Sequence, residues 1–348
     1  MTAVRASERT AIEIHRDFAS LGLDAKQWAA VAAQGDTFTV FQDWHWQRVW
    51  WESFGRGELT IVVAREDGRI RAMAPMFVDS RMAYLVGSGS SDYLDFIGDV
   101  DGDDLIAMLL ETLIDEHPDL LGIVLYLVPD ASRTGKLVAN AAKQLGLDCF
   151  DEGLLVAPVM SMPDAASAQR AATKTSLVRH ERRFASTGRL RVHHLREASE
   201  ILPWLDAFFD QHQARWHATA YPSLFRAPEQ RAFYGRLTQA ADASKWLRFT
   251  VVLWDDKPIA FHFGFAYNGS FLWYKPSFDI TLARHSPGEV LLRQLILAAN
   301  AEGAIAFDFG LGDEPFKRRF ANCVRNVRTW GLYPPGVPDD RSLCKPNR

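Results

Sequence analysis

Asn268-Gly269 sits between two apolar runs and is the dipeptide that most readily gives a tight hairpin both of its positive φ angles. It fixes how its neighbours fold. Trp246–Trp254 is an apolar run, Asp255-Asp256-Lys257 a turn, and Pro258–Ala266 returns antiparallel to the first run. Ser270–Lys275 follows the Asn-Gly turn as a third antiparallel strand. After the loop Pro276–His285, Val290, Leu291, Leu292, Leu295, Ile296 and Ala299 recur at helical spacing, with Ser286 as the expected N-cap and Pro287 in the first turn. Ala304–Phe309 fits a short buried strand that Gly310-Leu311-Gly312 ends. A helix start projecting from a sheet end can hold a phosphate or an oxyanion. Pro287 has no N–H, so the expected donors are the amides of Gly288, Glu289 and Val290.

The first half repeats this order. Leu59–Ala64 and Ile70–Val78 flank the turn Arg65–Gly68, and Tyr84–Val86 and Tyr93–Ile97 extend the sheet. Asp103–Glu116 reads as a helix, Ile123–Leu127 as a buried strand and Arg133–Leu145 as a second helix. Before the repeat, Ala11–Phe18 reads as a strand, Leu21–Ala33 as a helix, and Trp44–Phe54 as a helix whose aromatics exceed one face. Those aromatics either pack between the two halves or wall an acceptor pocket. The stretch before the helix at 103, Gly98-Asp99-Val100-Asp101-Gly102-Asp103-Asp104, would repel a phosphate, so no cofactor is expected in this copy. Gly87–Tyr93 lacks the lysine of a P-loop and reads as a flexible rim or a polar turn.

The expected class is α/β (α+β) with two tandem domains, each a mixed, largely antiparallel sheet flanked by helices. The expected division is 1–165, a basic connecting segment 166–200, a second domain 201–335 and a flexible tail 336–348. The chain has 348 residues, enough for two such domains. A net charge of −4 gives no global reason to expect DNA or an anionic membrane. Cys149, Cys323 and Cys344 are scattered and odd in number, so neither a disulfide framework nor a metal cluster follows. With no apolar leader and no long apolar run, a cytoplasmic protein without a transmembrane segment is expected. Lys174–Arg196 carries seven Lys or Arg against the one acid, Glu181. As a solvated helix face it needs no function; as a functional patch it would meet phosphates.

The ordered words Phe41-Gln42-Asp43-Trp44, Trp50-Trp51-Glu52-Ser53-Phe54-Gly55, Asp92-Tyr93-Leu94-Asp95, Arg215-Trp216, Pro258-Ile259-Ala260, Phe278-Asp279, Ser286-Pro287-Gly288, Asp308-Phe309-Gly310 and Phe316–Phe320 lie along residues 38–320. Together they resemble the GNAT superfamily and, within it, the FemAB/FemX-like and CelD-like acyltransferases of cellulose and exopolysaccharide clusters. The resemblance implies tandem GNAT-like domains and acyl transfer to an amine, the donor being acetyl-CoA or another acyl-CoA. The implied acceptor is an amino group on a sugar or on a lipid- or nucleotide-linked saccharide precursor. It also implies a C-terminal lysine acting on the acceptor's phosphate or the transition state, which maps to Lys317; relatives usually carry Tyr before it, where this chain has Phe316.

Acyl transfer needs a bound donor, an amine that loses its proton, and donors for the oxyanion. Ser286, Gly288, Glu289 and Val290, with Arg284 or Arg293 adding charge, are the candidates for the donor. Asp279, Asp308, Glu289 and Glu314 are the candidate bases, and Lys317, Asp279 and Asp308 the leading catalytic residues. An alternative role for Asp308 is a buried ion pair with Lys317 or Arg318. Asp92, Tyr93, Trp216 and Tyr274 are the candidates for the acceptor side, and no metal site is expected. A second reading uses aminoacyl-tRNA as donor and makes the basic 174–196 segment essential. A third is a non-catalytic binding protein of an exopolysaccharide pathway.

Overall fold

Three two-residue turns set the strand registers. Asp67-Gly68 (φ 50° and 77°), Asp255-Asp256 (47° and 64°) and Asn268-Gly269 (45° and 73°) each place both central residues in the left-handed region. That is the geometry of a type I′ turn, whose twist matches the flanking strands. Asp and Asn tolerate it because their short side chains bond locally, and Gly because it has no Cβ.

The computed structural model describes residues 10–336 apart from 218, 220 and 221; Cys344 and nearly all of the expected tail lie outside the described residues. Its first elements are β1 (Thr10–His15), α1 (Ala25–Ala32), α2 (Trp44–Phe54), β2 (Glu58–Glu66), β3 (Arg69–Asp79), β4 (Met82–Leu85) and β5 (Ile97–Gly98). There follow α3 (Leu105–Glu116), β6 (Gly122–Pro129), α4 (Thr134–Gln144), β7 (Asp148–Ser161), α5 (Ala165–Ala172), α6 (Thr175–Thr187) and β8 (Leu190–Leu195). Next come α7 (Ala198–Ile201), α8 (Leu205–Trp216), α9 (Pro228–Ala240), β9 (Leu247–Trp254), β10 (Lys257–Tyr267) and β11 (Ser270–Phe278). The last are α10 (Pro287–Ala301), β12 (Ala306–Asp308), α11 (Pro315–Arg318) and β13 (Cys323–Tyr333). No helix among the described residues is long and apolar enough to cross a membrane.

The chain forms two compact units. One runs to Val156 and resumes at Arg325; the other spans Ala157–Val324. The basic stretch 174–196 is therefore not a connecting segment but helix α6 and edge strand β8 of the second unit. In the first unit β1, β2, β3 and β4 pair antiparallel in sequence, β4 pairs parallel with β6, and β13 completes the sheet antiparallel to β6. In the second, β8, β9, β10 and β11 form an antiparallel series, β11 pairs parallel with β12, and the end of β7 pairs antiparallel with β12. One face of that sheet packs on α5, α6 and α10 through Leu177, Phe184, Leu291, Leu295 and Phe307. The other carries a cluster of rings from Phe208, Phe225, Tyr234, Phe249 and Phe263.

Several expectations change. The aromatics of α2 pack within the first unit: Trp46 is fully buried and donates to Ser91 Oγ at 2.9 Å, Trp44 meets Trp28 at 5.2 Å, and Trp50 meets Phe77 at 5.5 Å. That same bond, with Ser88 Oγ donating to Leu85 O at 2.7 Å, holds the 87–93 turn down rather than leaving it a flexible rim. The expected strand at 93–97 shrinks to β5. Strands β7 and β13 were not anticipated, because Gly153 and Pro158 interrupt the first and charged residues the second.

Ala at 269 would keep φ at +73° with a Cβ 3.1 Å from Ile305 Cγ1. Gly269→Ala is expected to lower stability by about 1–2 kcal/mol in urea unfolding. An unchanged midpoint would show that this turn does not hold the β10–β11 register.

Candidate functional site

Pairing between β11 and β12 covers only Ser270↔Ala306, Phe271↔Phe307 and Leu272↔Asp308. Beyond Leu272, β11 runs on to Phe278 while the chain after Asp308 turns away through Gly310 (φ 66°) and Gly312 (φ 108°). The strands therefore splay. A cavity of about 210 Å³ opens beside the far half of β11, lined by Trp273, Ser277 and Phe278, by Gly288, Glu289 and Leu292 of α10, by Phe316, and by residues before and after these.

Two arginines reach this cavity. Arg215, near the end of α8, lies 4.3 Å from the Phe278 ring centroid and 5.0 Å from that of Trp216, and donates to Pro276 O at 2.9 Å. No carboxylate among the described residues lies within ion-pair distance of it. Burial lowers its pKa to about 10, the charge of Glu314 opposing the shift. Arg319 is different: it pairs with Glu289 Oε1 at 2.8 Å and donates to Ser176 Oγ at 2.7 Å. Glu289 is the only carboxylate in the lining. Its second oxygen is buried without a hydrogen bond, 3.7 Å from His180 Nε2. Ser277 is fully buried, and its hydroxyl also has no hydrogen-bond partner.

Of the residues expected to bind the donor, Ser286, Gly288 and Glu289 line the cavity. Ser286 is no side-chain cap: it lies at φ 57° with no cap bond, and its carbonyl accepts from Glu289 N at 3.0 Å. Pro287 has no N–H, so of the residues that open α10 Gly288 keeps the amide best placed to donate outward. Val290 is buried in the core, Arg284 bonds His285 at 3.0 Å, and Arg293 ties α10 to α6 through Glu181 at 2.6 Å.

The expected catalytic set stands beside the cavity rather than in its lining. Asp279 caps the turn before α10, accepting from Thr281 N at 2.9 Å and Thr281 Oγ1 at 2.7 Å. Asp308 is buried and accepts from Gly310 N at 2.8 Å. Lys317 is buried as well, donating to Leu311 O at 2.6 Å and pairing with Glu314 at 2.8 Å, while Arg318 pairs with Asp313. The ion pairs weighed for Asp308 thus go to Glu314 and Asp313. Lys317 holds the 311–314 loop between two lining residues, Phe316 and Arg319. On the acceptor side, Tyr274 is packed against Phe265 and Tyr234, and Tyr93 against Phe41 in the first unit. Trp216 stacks near Arg215 and its Nε1 is buried without a partner. Arg215 and Ser277 were not singled out as site residues. Arg215-Trp216 was visible only as a word, and nothing local marks a serine that folding leaves unbonded.

Residues 171–318 match the family described as acetyltransferase (GNAT) domain. Among solved structures, FemX matches with a TM-score of 0.63 at 8% identity, over 92% of this chain and 96% of that one. L-PGS from Bacillus licheniformis matches at 0.57 and 14% identity, over 92% and 93%. The tandem GNAT protein from the clavulanic acid biosynthesis pathway matches at 0.52 and 14% identity, over 95% and 100%. At such identities the likeness is one of fold. A search of curated proteins gives no significant match.

Two buried histidines frame this unit. His212 contacts Ser223 Oγ at 2.8 Å, and His262 donates from Nε2 to Leu272 O at 3.2 Å. Burial lowers each pKa from 6.5 to about 3. Between those values the unfolded chain binds the extra protons, so stability is full above about pH 6.5 and falls as pH drops toward 3. The expected loss is about 1 kcal/mol per pH unit for each ring. Urea midpoints at pH 7 and pH 5 should differ in the wild type and differ less in His212→Gln; a flat wild-type profile contradicts the assignment.

Proposed function

For a chain that carries a GNAT acetyltransferase domain at residues 171–318 within a tandem GNAT-like fold, we propose an N-acyltransferase that moves an acyl group from acyl-CoA to an amino group of a saccharide or cell-envelope precursor. The observation that carries this reading is the β11–β12 splay with a cavity at its mouth. Beyond Leu272, alternate backbone N–H groups on the β12 side of β11 are available to the amides of an extended donor arm and to a developing oxyanion. Gly288, with its amide at the start of α10 and no Cβ beside Phe278, leaves room for the donor's phosphates.

In the reaction the neutral amine nitrogen forms a C–N bond to the acyl carbon, the C–S bond breaks, and the amine proton ends on the coenzyme thiol. Glu289, the carboxylate of the lining, is the proton acceptor, directly or through water. Under this reading Lys317 is a positioning residue, fixing the loop that presents Phe316 and Arg319. Asp279 and Asp308 set the two strand ends between which the donor lies.

One observation favours a second donor. Exposed Arg179, Arg182 and Arg183 of α6 have no carboxylate partner among the described residues, whereas Arg189 and Arg191 of the same stretch pair with Asp256. A polyanionic carrier, as in aminoacyl-tRNA, suits that face.

Calorimetric titration of acetyl-CoA and coenzyme A into the wild type and Gly288→Asp tests the donor. The added carboxylate would meet Phe278, 3.2 Å from the Cβ, and oppose phosphate. Micromolar binding weakened more than about tenfold in the variant supports acyl-CoA at the α10 start. No binding by folded wild type removes acyl-CoA, and retention of tRNA then supports the second donor.

A further inference from the structure

We infer that Arg215 and Ser277 form a receptor for a carboxylate carried on an apolar stem, so that one reactant of the proposed acyl transfer bears such a group. This rests on reading the cavity as a reactant site and names what that site selects. Both residues line the same cavity, and the carbonyl that Arg215 holds, Pro276 O, belongs to the residue just before Ser277.

Arg215 is a part-buried guanidinium spending one donor on that carbonyl and stacked on Phe278, with no carboxylate among the described residues in ion-pair range. A cation withdrawn from water without a counter-ion is costly. The only acid of the lining, Glu289, is already matched by Arg319, so the lining carries one positive charge in excess. The Ser277 hydroxyl is fully buried and unbonded, which is costly for a donor that no protein group satisfies. A carboxylate answers both: one oxygen takes the remaining guanidinium donors, the other the hydroxyl proton. The large apolar side chains of the wall are Trp273, Phe278, Leu291, Leu292, Phe316 and Phe320. Such a wall suits a hydrocarbon stem and a singly charged head over a phosphate dianion with its larger desolvation cost. The class is thus a short aliphatic acid, either the far end of a dicarboxylic acyl group or the carboxylate of an amino-acid-like acceptor.

The test is calorimetric titration of n-hexanoate, 1-hexanol, n-hexylammonium and inorganic phosphate in a phosphate-free buffer, with wild type, Arg215→Gln and Ser277→Ala. Hexanoate is expected to bind at least about tenfold tighter than hexanol. That preference should vanish in Arg215→Gln and shrink several-fold in Ser277→Ala. Ser277→Ala should also raise the melting temperature of the empty protein, because it deletes a buried unbonded hydroxyl; a serine with a purely structural role gives the opposite shift.

Equal binding of hexanol and hexanoate overturns the inference. So do a preference that survives Arg215→Gln, tighter binding of hexylammonium, or phosphate that outcompetes hexanoate and loses its binding in Arg215→Gln. The assay contains no acyl donor, so failure of the transferase reading and failure of the carboxylate receptor are separate results.

Discussion

The parallel ladder between β11 and β12 is three residue pairs long, and the candidate site depends on its shortness. A parallel neighbour must be reached by a crossover, here α10, so the chain that leaves β11 at Phe278 has to return to the ladder's beginning at Ala306. Had β12 run the length of β11, their hydrogen bonds would have closed the edge. Asp308 instead turns its carboxylate to Gly310 N, and two positive-φ glycines carry the chain off. The pairs Asp313–Arg318 and Glu314–Lys317 then lock that departing segment, so Phe316, Arg319 and Phe320 face the space that β11 leaves open.

Much of the fold was legible because its signals are local. Asn268-Gly269, Asp255-Asp256 and Asp67-Gly68 name their own turns, and Val290 to Ala299 names its own helix. What was hidden is what only pairing decides. β7 carries Gly153 and Pro158 and still forms a strand, since its end lies along β12. β13 carries two arginines, yet Val327, Thr329, Gly331 and Tyr333 alternate against β6. Ser286 looked like an N-cap, but the chain approaches α10 through a left-handed residue and the side chain never turns back. The basic run read as one segment splits into a helix packed on α10 and an edge strand, and on the helix Arg179, Arg182 and Arg183 stay exposed without a carboxylate partner among the described residues.

The site was half legible for a related reason. Spacing located the start of α10 and brought Ser286, Gly288 and Glu289 to the cavity. The catalytic assignments followed charge, and charged residues in a sequence do not announce their partners. Asp279, Asp308 and Lys317 each bind the backbone that forms the site. Such groups shape a pocket without facing it.

The two repeats treat the same position in opposite ways. Before α3, Asp99 and Asp101 are answered by Arg71 and Arg133, and Arg133 also grips Asp36 through both carboxylate oxygens. The acids before α3 are thus ion-paired within their own unit. Beside α10, a guanidinium has no carboxylate within ion-pair distance among the described residues, a buried hydroxyl has no bond and one carboxylate oxygen has no donor. Folding does not favour such groups, and each lowers the stability of the empty protein. They persist together around one cavity and have no counterpart in the ion-paired start of α3. The start of α10 thus keeps unsatisfied groups beside a cavity where the start of α3 pairs its charges, a contrast that no charge run in the sequence displays.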